Sequence, residues 1–131
     1  MSDHPVHILL DASAIVAFCR GTSVDVGEVI GEVHDEGAAV GLPLLCLVEA
    51  RRAIVDVDLL DLLTAHPTTT IVAPAADSWR ALAATYDIVG RLDAASAVLA
   101  AYDLDALILT GQPALYAGLA GGGPIIELPP A

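Results

Sequence analysis

Val6-His7-Ile8-Leu9-Leu10-Asp11-Ala12-Ser13-Ala14-Ile15-Val16-Ala17-Phe18 is the stretch that decides the fold. Its first five residues are apolar and β-branched, which reads as a short buried strand, and residues 12–19 read as a helix. Asp11 stands at the junction. In an open α/β sheet the carboxyl ends of the strands are where ligand and metal sites form. A carboxylate placed there is costly to desolvate and needs a positive partner. The chain has few to offer: 17 acids stand against five arginines and no lysine, a formal charge of −12.

Outward from this stretch, strand and helix signals alternate. After a break at Arg20-Gly21-Thr22-Ser23, with Ser23 as a helix cap, Val26, Val29, Ile30 and Val33 form a helical stripe over 24–36. Residues 38–42 read as a second strand. Pro43 suits the first turn of a helix carrying Leu44, Leu47, Val48, Arg51 and Ile54. A short helix over 58–65 and a strand over 68–73 follow. Trp79, Leu82, Ala83 and Tyr86 make a further helical stripe, read as core packing and ended near Gly90. Asp93 heads a helix with Ala94, Ala97, Val98 and Ala101 on one face. Residues 106–110 are a strand, 113–116 a helical turn, and 125–128 a last strand. This alternation predicts one α/β domain over 1–131: a three-layer α/β/α arrangement around a short, mostly parallel five-stranded sheet.

Composition removes several functions. Hydrophobic residues make up 56% of the chain and mean hydropathy is +0.69, yet no apolar run reaches the ~18 residues of a membrane span. The first residues lack the basic segment of a secretory signal, so a cytoplasmic location is expected, without membrane association. Cys19 and Cys46 have no paired spacing and read as buried thiols. Without lysine there is no Walker P-loop. Receiver-type and haloacid-dehalogenase-type phosphotransfer folds also place an acid at a strand end. Both rely on a lysine, and the second wants Asp where Ser13 stands.

Three acids occupy comparable places: Asp11 after the first strand, Glu49 on the helix after the second, and Asp93 at the start of the helix before the fourth. Mg²⁺ and Mn²⁺ take oxygen ligands of this kind. Leu9-Leu10-Asp11-Ala12-Ser13-Ala14 resembles the opening motif of PIN domains, and Leu47-Val48-Glu49-Ala50 their second acidic motif. Leu92-Asp93-Ala94-Ala95-Ser96-Ala97 resembles the third and Leu107-Ile108-Leu109-Thr110-Gly111-Gln112 the fourth. The resemblance covers essentially the whole chain. It implies a PIN-like fold and a ribonuclease dependent on Mg²⁺ or Mn²⁺, often the toxin of a VapBC-type toxin–antitoxin pair and usually a homodimer. By that resemblance Asp11, Glu49 and Asp93 are the catalytic, metal-binding acids. Ser13 and Thr110 support them through their hydroxyls.

The fourth motif departs from the family pattern, with Gln112 where an acid is usual. Gln keeps a carbonyl oxygen but no charge, so one well-held metal and a weak or absent second are expected. Asp103 and Asp105 cannot stand in, because a five-residue strand of roughly 16 Å separates them from that edge. Arg51 and Arg52 follow Glu49, Arg91 precedes Asp93, and Arg80 lies away. Arg52 and Arg91 are candidate RNA contacts; the alternative is local ion pairing at the surface. The four histidines show no metal-ligand pattern, and the scarcity of aromatic residues argues against base stacking. Two functions stay open: an RNA-cleaving metalloenzyme, with a cognate antitoxin as partner if it is a toxin, and a catalytically degenerate PIN-like domain acting as a binding or regulatory module.

Overall fold

The computed structural model describes residues 4–21, 24–54 and 56–129. Its five strands are β1 (Val6–Leu10), β2 (Ala39–Pro43), β3 (Thr69–Val72), β4 (Leu107–Thr110) and β5 (Ile125–Glu127). The helices are α1 (Ala12–Arg20), α2 (Asp25–Asp35), α3 (Leu44–Ala53), α4 (Val57–Ala65), α5 (Trp79–Val89) and α6 (Leu92–Leu104), with short 3₁₀ turns at Ala76–Ser78, Pro113–Tyr116 and Ala120–Gly122. The strands form one sheet in the order β3-β2-β1-β4-β5, and every pairing is parallel. Helices cover both faces in a three-layer α/β/α fold.

Near-continuous apolar strands are what a sheet buried on both faces requires. β2 is buried throughout its length, and Leu9, Leu10, Val40, Leu42, Ile108 and Leu109 fill the centre. Gly41 is there for space. A Cβ at that position would lie 2.5 Å from Leu9 Cδ2 and 3.1 Å from Val72 Cγ2. Small residues do the same for α6, whose Ala94, Ala95, Ala97, Val98 and Ala101 are buried and let the helix lie close against β1, β2 and β4.

Two expectations are corrected. Pro43 belongs to the end of β2, opposite Val72, and α3 begins after it. Its extended ψ of 131° continues the strand, and a terminal position suits a residue with no N–H to donate. Trp79 and Tyr86 are not core residues. They are 61% and 44% exposed, and Val89 is the one fully buried residue of α5. Because α6 occupies the sheet face, α5 packs outside it; Leu82 still packs against the core, while Trp79 and Tyr86 face solvent and Arg80 lies 4.8 Å over the Trp79 ring. The Ser23 cap lies outside the described residues. Cys19 and Cys46 are buried and unpaired, as expected. Among the described residues no helix is long and apolar enough to cross a membrane.

Candidate active-site crevice

The strand order fixes where a site forms. From β1 the chain moves outward through β2 and β3, then returns to the other side of β1 as β4. The crevice at the carboxyl ends of β1 and β4 is therefore the topological switch point of the sheet. Asp11 leaves β1 there, and Thr110 ends β4 beside it.

Asp11 is the N-cap of α1. Its Oδ1 accepts from the Ala14 amide at 3.1 Å and from Ser13 Oγ at 2.6 Å. Its Oδ2 accepts from the Tyr116 hydroxyl at 2.7 Å. Ser13 also accepts from the Gly111 amide at 2.9 Å and lies 3.3 Å from Thr110 Oγ1. The one Ser13 proton goes to Asp11, so Thr110 is the donor in that contact. Thr110 in turn accepts from the Gln112 amide at 2.9 Å. Ser13 and Thr110 thus tie the start of α1 to the loop after β4 and hold Asp11 in one orientation. Asp11 is only 2% exposed, and no arginine or histidine pairs with it among the described residues.

Asp93 is solved differently. It is the second residue of α6, not the cap: Arg91 holds the cap position, following Gly90, whose left-handed φ of 78° ends α5. The extended Arg91 backbone turns its side chain back onto Asp93. Nε and Nη2 each donate at 3.1 Å, one to each carboxylate oxygen. Nη2 also lies 3.9 Å from Glu49 Oε1, which Arg52 Nη1 approaches at 3.7 Å. The hydrogen bonds to Asp93 hold Arg91 yet more firmly protonated than usual. Cys46 and Ser96 both donate to the Asp93 backbone carbonyl. Burial, reinforced by the charges of Asp11 and Asp93, pushes the Cys46 thiol far up, and burial does the same to Tyr116.

Between these groups lies a crevice of about 480 Å³, lined by Ser13, Arg20, Glu49, Arg91 and Gln112 with apolar side chains of α1 and α3. Arg20 and Tyr116 were missed in the sequence. Arg20 was legible: Ser13, Val16, Ala17 and Arg20 share the helical spacing that defines one face of α1. Tyr116 carried no signal, since its partner is 105 residues away. Asp103 and Asp105 sit at the far end of α6, before β4 begins.

The donor chemistry suits Mg²⁺ or Mn²⁺. Asp11, Glu49 and Asp93 supply carboxylate oxygens, and Asp11 Oδ2 has an acceptor direction left beyond Tyr116. Among the described residues, however, no three histidine, cysteine, aspartate or glutamate side chains converge closely enough to hold an ion as arranged. The positive charge spanning Asp93 and Glu49 is that of Arg91.

No family profile matches this chain, and no curated protein matches it. Among solved structures it is similar to the protein PAE2754 from Pyrobaculum aerophilum, with a TM-score of 0.62 at 19% identity over 95% of this chain and 91% of that one. The likeness is one of fold, carried over nearly the whole of both chains.

Proposed function

We propose that the crevice is the active site of a PIN-like ribonuclease that uses one divalent cation, Mg²⁺ or Mn²⁺. The observation that carries this reading is Asp11: a buried carboxylate at the switch point, held by two hydroxyls and an amide but with no ion-pair partner among the described residues. Burying an uncompensated anion costs several kcal/mol as an order of magnitude, which a cation ligand would offset. Asp11, Glu49 and Asp93 would hold that cation. When bound, it would supply a water activated for attack on a phosphodiester and would offset charge in the transition state. Ser13 and Thr110 keep Asp11 oriented. Gln112, exposed at the mouth, offers a neutral amide where a fourth acid would add charge. Arg20 and Arg52 put positive charge beside the acids, a local exception on a chain otherwise repulsive to RNA.

The toxin role, with a cognate antitoxin as partner and a cytoplasmic setting, extends this reading. A homodimer does so too, supported by exposed Val48, Tyr86 and Leu92 lining one cleft. A second reading, a degenerate binding or regulatory module, is favoured by two observations. Gln112 replaces the fourth acid, and the Arg91 fork already occupies Asp93.

The test is cleavage of single-stranded RNA with Mn²⁺ or Mg²⁺ by the wild type, Asp11→Asn and Gln112→Asp. The nuclease reading expects activity that the first substitution abolishes and the second raises. Inactivity of all three proteins, with no metal binding, would refute the nuclease and favour the module.

A further inference from the structure

Resting on the cation-dependent reading of this crevice, we propose that Arg91 is a built-in competitor of the divalent cation, a tethered guanidinium that must leave Asp93 before the acids can take up an ion. The fork geometry is the first argument. Both oxygens of Asp93 accept from one planar group at equal distances of 3.1 Å, and the same Nη2 faces Glu49 at 3.9 Å. Such a two-point contact places a full positive charge against both oxygens of Asp93 and close to Glu49, and it is stronger than a single charge–charge contact.

Freedom to move is the second. The Arg91 backbone is fixed between the left-handed Gly90 and the first turn of α6, so only the side chain can yield. That side chain is 38% exposed and borders the crevice beside Gln112 and two adjoining clefts, one toward Tyr86 and one toward Leu115. Space to swing into is present on each side. Arg52 has no comparable hold. It is 76% exposed, and among the described residues its ion pair is with Glu49 alone, at 3.7 Å and without a fork.

Charge completes the argument. With Gln112 in place of a fourth acid, the proposed site has three carboxylates, of which Glu49 lines the crevice and Asp11 and Asp93 are buried, and Arg91 neutralises part of their charge. A site so reduced loses more attraction for a divalent ion than for the singly charged guanidinium, so the balance shifts toward Arg91. The apparent affinity for the ion then falls by the fraction of molecules in which Arg91 has swung out. A guanidinium closed in about nine molecules of ten weakens binding about tenfold.

The experiment is Mn²⁺ binding to the intact chain, followed by the loss of the free-ion electron paramagnetic resonance signal, for wild type, Arg91→Gln, Arg91→Lys and Arg52→Gln. Thermal unfolding of each variant without metal establishes that it is folded. The proposal expects Arg91→Gln to bind about tenfold tighter than wild type. Arg91→Lys, which keeps the charge but not the fork, should fall between them, and Arg52→Gln should change affinity less than twofold. Wild-type binding that Arg91→Gln leaves unchanged or weakens would overturn the competitor and leave the metal site standing. Equal tightening by Arg91→Gln and Arg52→Gln would also overturn it, reducing the effect to general charge. Absence of binding in both wild type and Arg91→Gln would refute the cation site itself, and the competitor with it.

Discussion

Tyr116→Phe removes one hydroxyl and tests the physical core of the site without reference to any ligand. The phenol is fully buried and donates at 2.7 Å to Asp11 Oδ2, which is itself buried. Among the described residues no other donor reaches that oxygen. A hydrogen bond to a charged group contributes about 1.5–3 kcal/mol, and the upper part of that range applies where the abandoned acceptor stays dry. The expected loss is about 2–3 kcal/mol in urea unfolding at pH 7. For a chain of this length that lowers the midpoint of thermal unfolding by about 6–12 °C. The decisive arm is the same substitution in an Asp11→Ala background. There the phenol has no acceptor, and its removal should cost less than about 0.5 kcal/mol or stabilise slightly. A Tyr116→Phe cost below about 0.5 kcal/mol in the wild-type background, or an equal cost in both, would refute the claim that this hydroxyl holds Asp11.

Two further outcomes are expected. Burial raises the pKa of Tyr116 and Cys46 in the folded chain. Both groups are protonated in either state below the unfolded thiol value, so there they add no pH dependence. As pH rises above about 9 for Cys46 and about 10 for Tyr116, only the unfolded chain ionises, and stability falls by up to about 1.4 kcal/mol per pH unit for each group. Urea unfolding between pH 8 and 11 should therefore show a shallower alkaline decline for Tyr116→Phe than for wild type, and identical slopes would contradict the burial argument. Gly41→Ala places a methyl against Leu9 and Val72 in the middle of the sheet. It should destabilise by about 1–3 kcal/mol in the same assay, and a neutral result would mean that β1 and β3 yield more easily than their burial implies.

The strands were readable because a sheet covered on both faces must be apolar along its length, and β1, β2 and β4 are. Their placement carried Asp11 and Thr110 to one edge, so half of the site was legible from the alternation of elements. The other half depended on features that periodicity does not encode. A stripe such as Trp79, Leu82, Tyr86 establishes an amphipathic helix but not which side faces the protein, and α6 had already taken the sheet. Helical spacing also says that residues two apart do not face each other. Arg91 meets Asp93 only because Arg91 itself is extended, with φ −138° and ψ 134°, one residue before the helix starts.

The two buried acids at this edge are balanced by unlike means, and the difference bears on what the crevice can do. Asp11 is surrounded by neutral donors that orient the carboxylate while leaving its charge in place. Asp93 is bound to a full positive charge on a movable side chain. A rigid anion with no ion-pair partner among the described residues is suited to be the permanent ligand of an incoming cation, because nothing has to leave. An anion already paired with arginine is suited to be the conditional one, since its availability depends on where Arg91 stands. Glu49, shared between Arg91 and Arg52 at distances near 4 Å, lies between these extremes. On the proposed reading, an ion would gain Asp93 only by displacing Arg91. The released guanidinium would then stand at the crevice beside Gln112, free to pair with another anion.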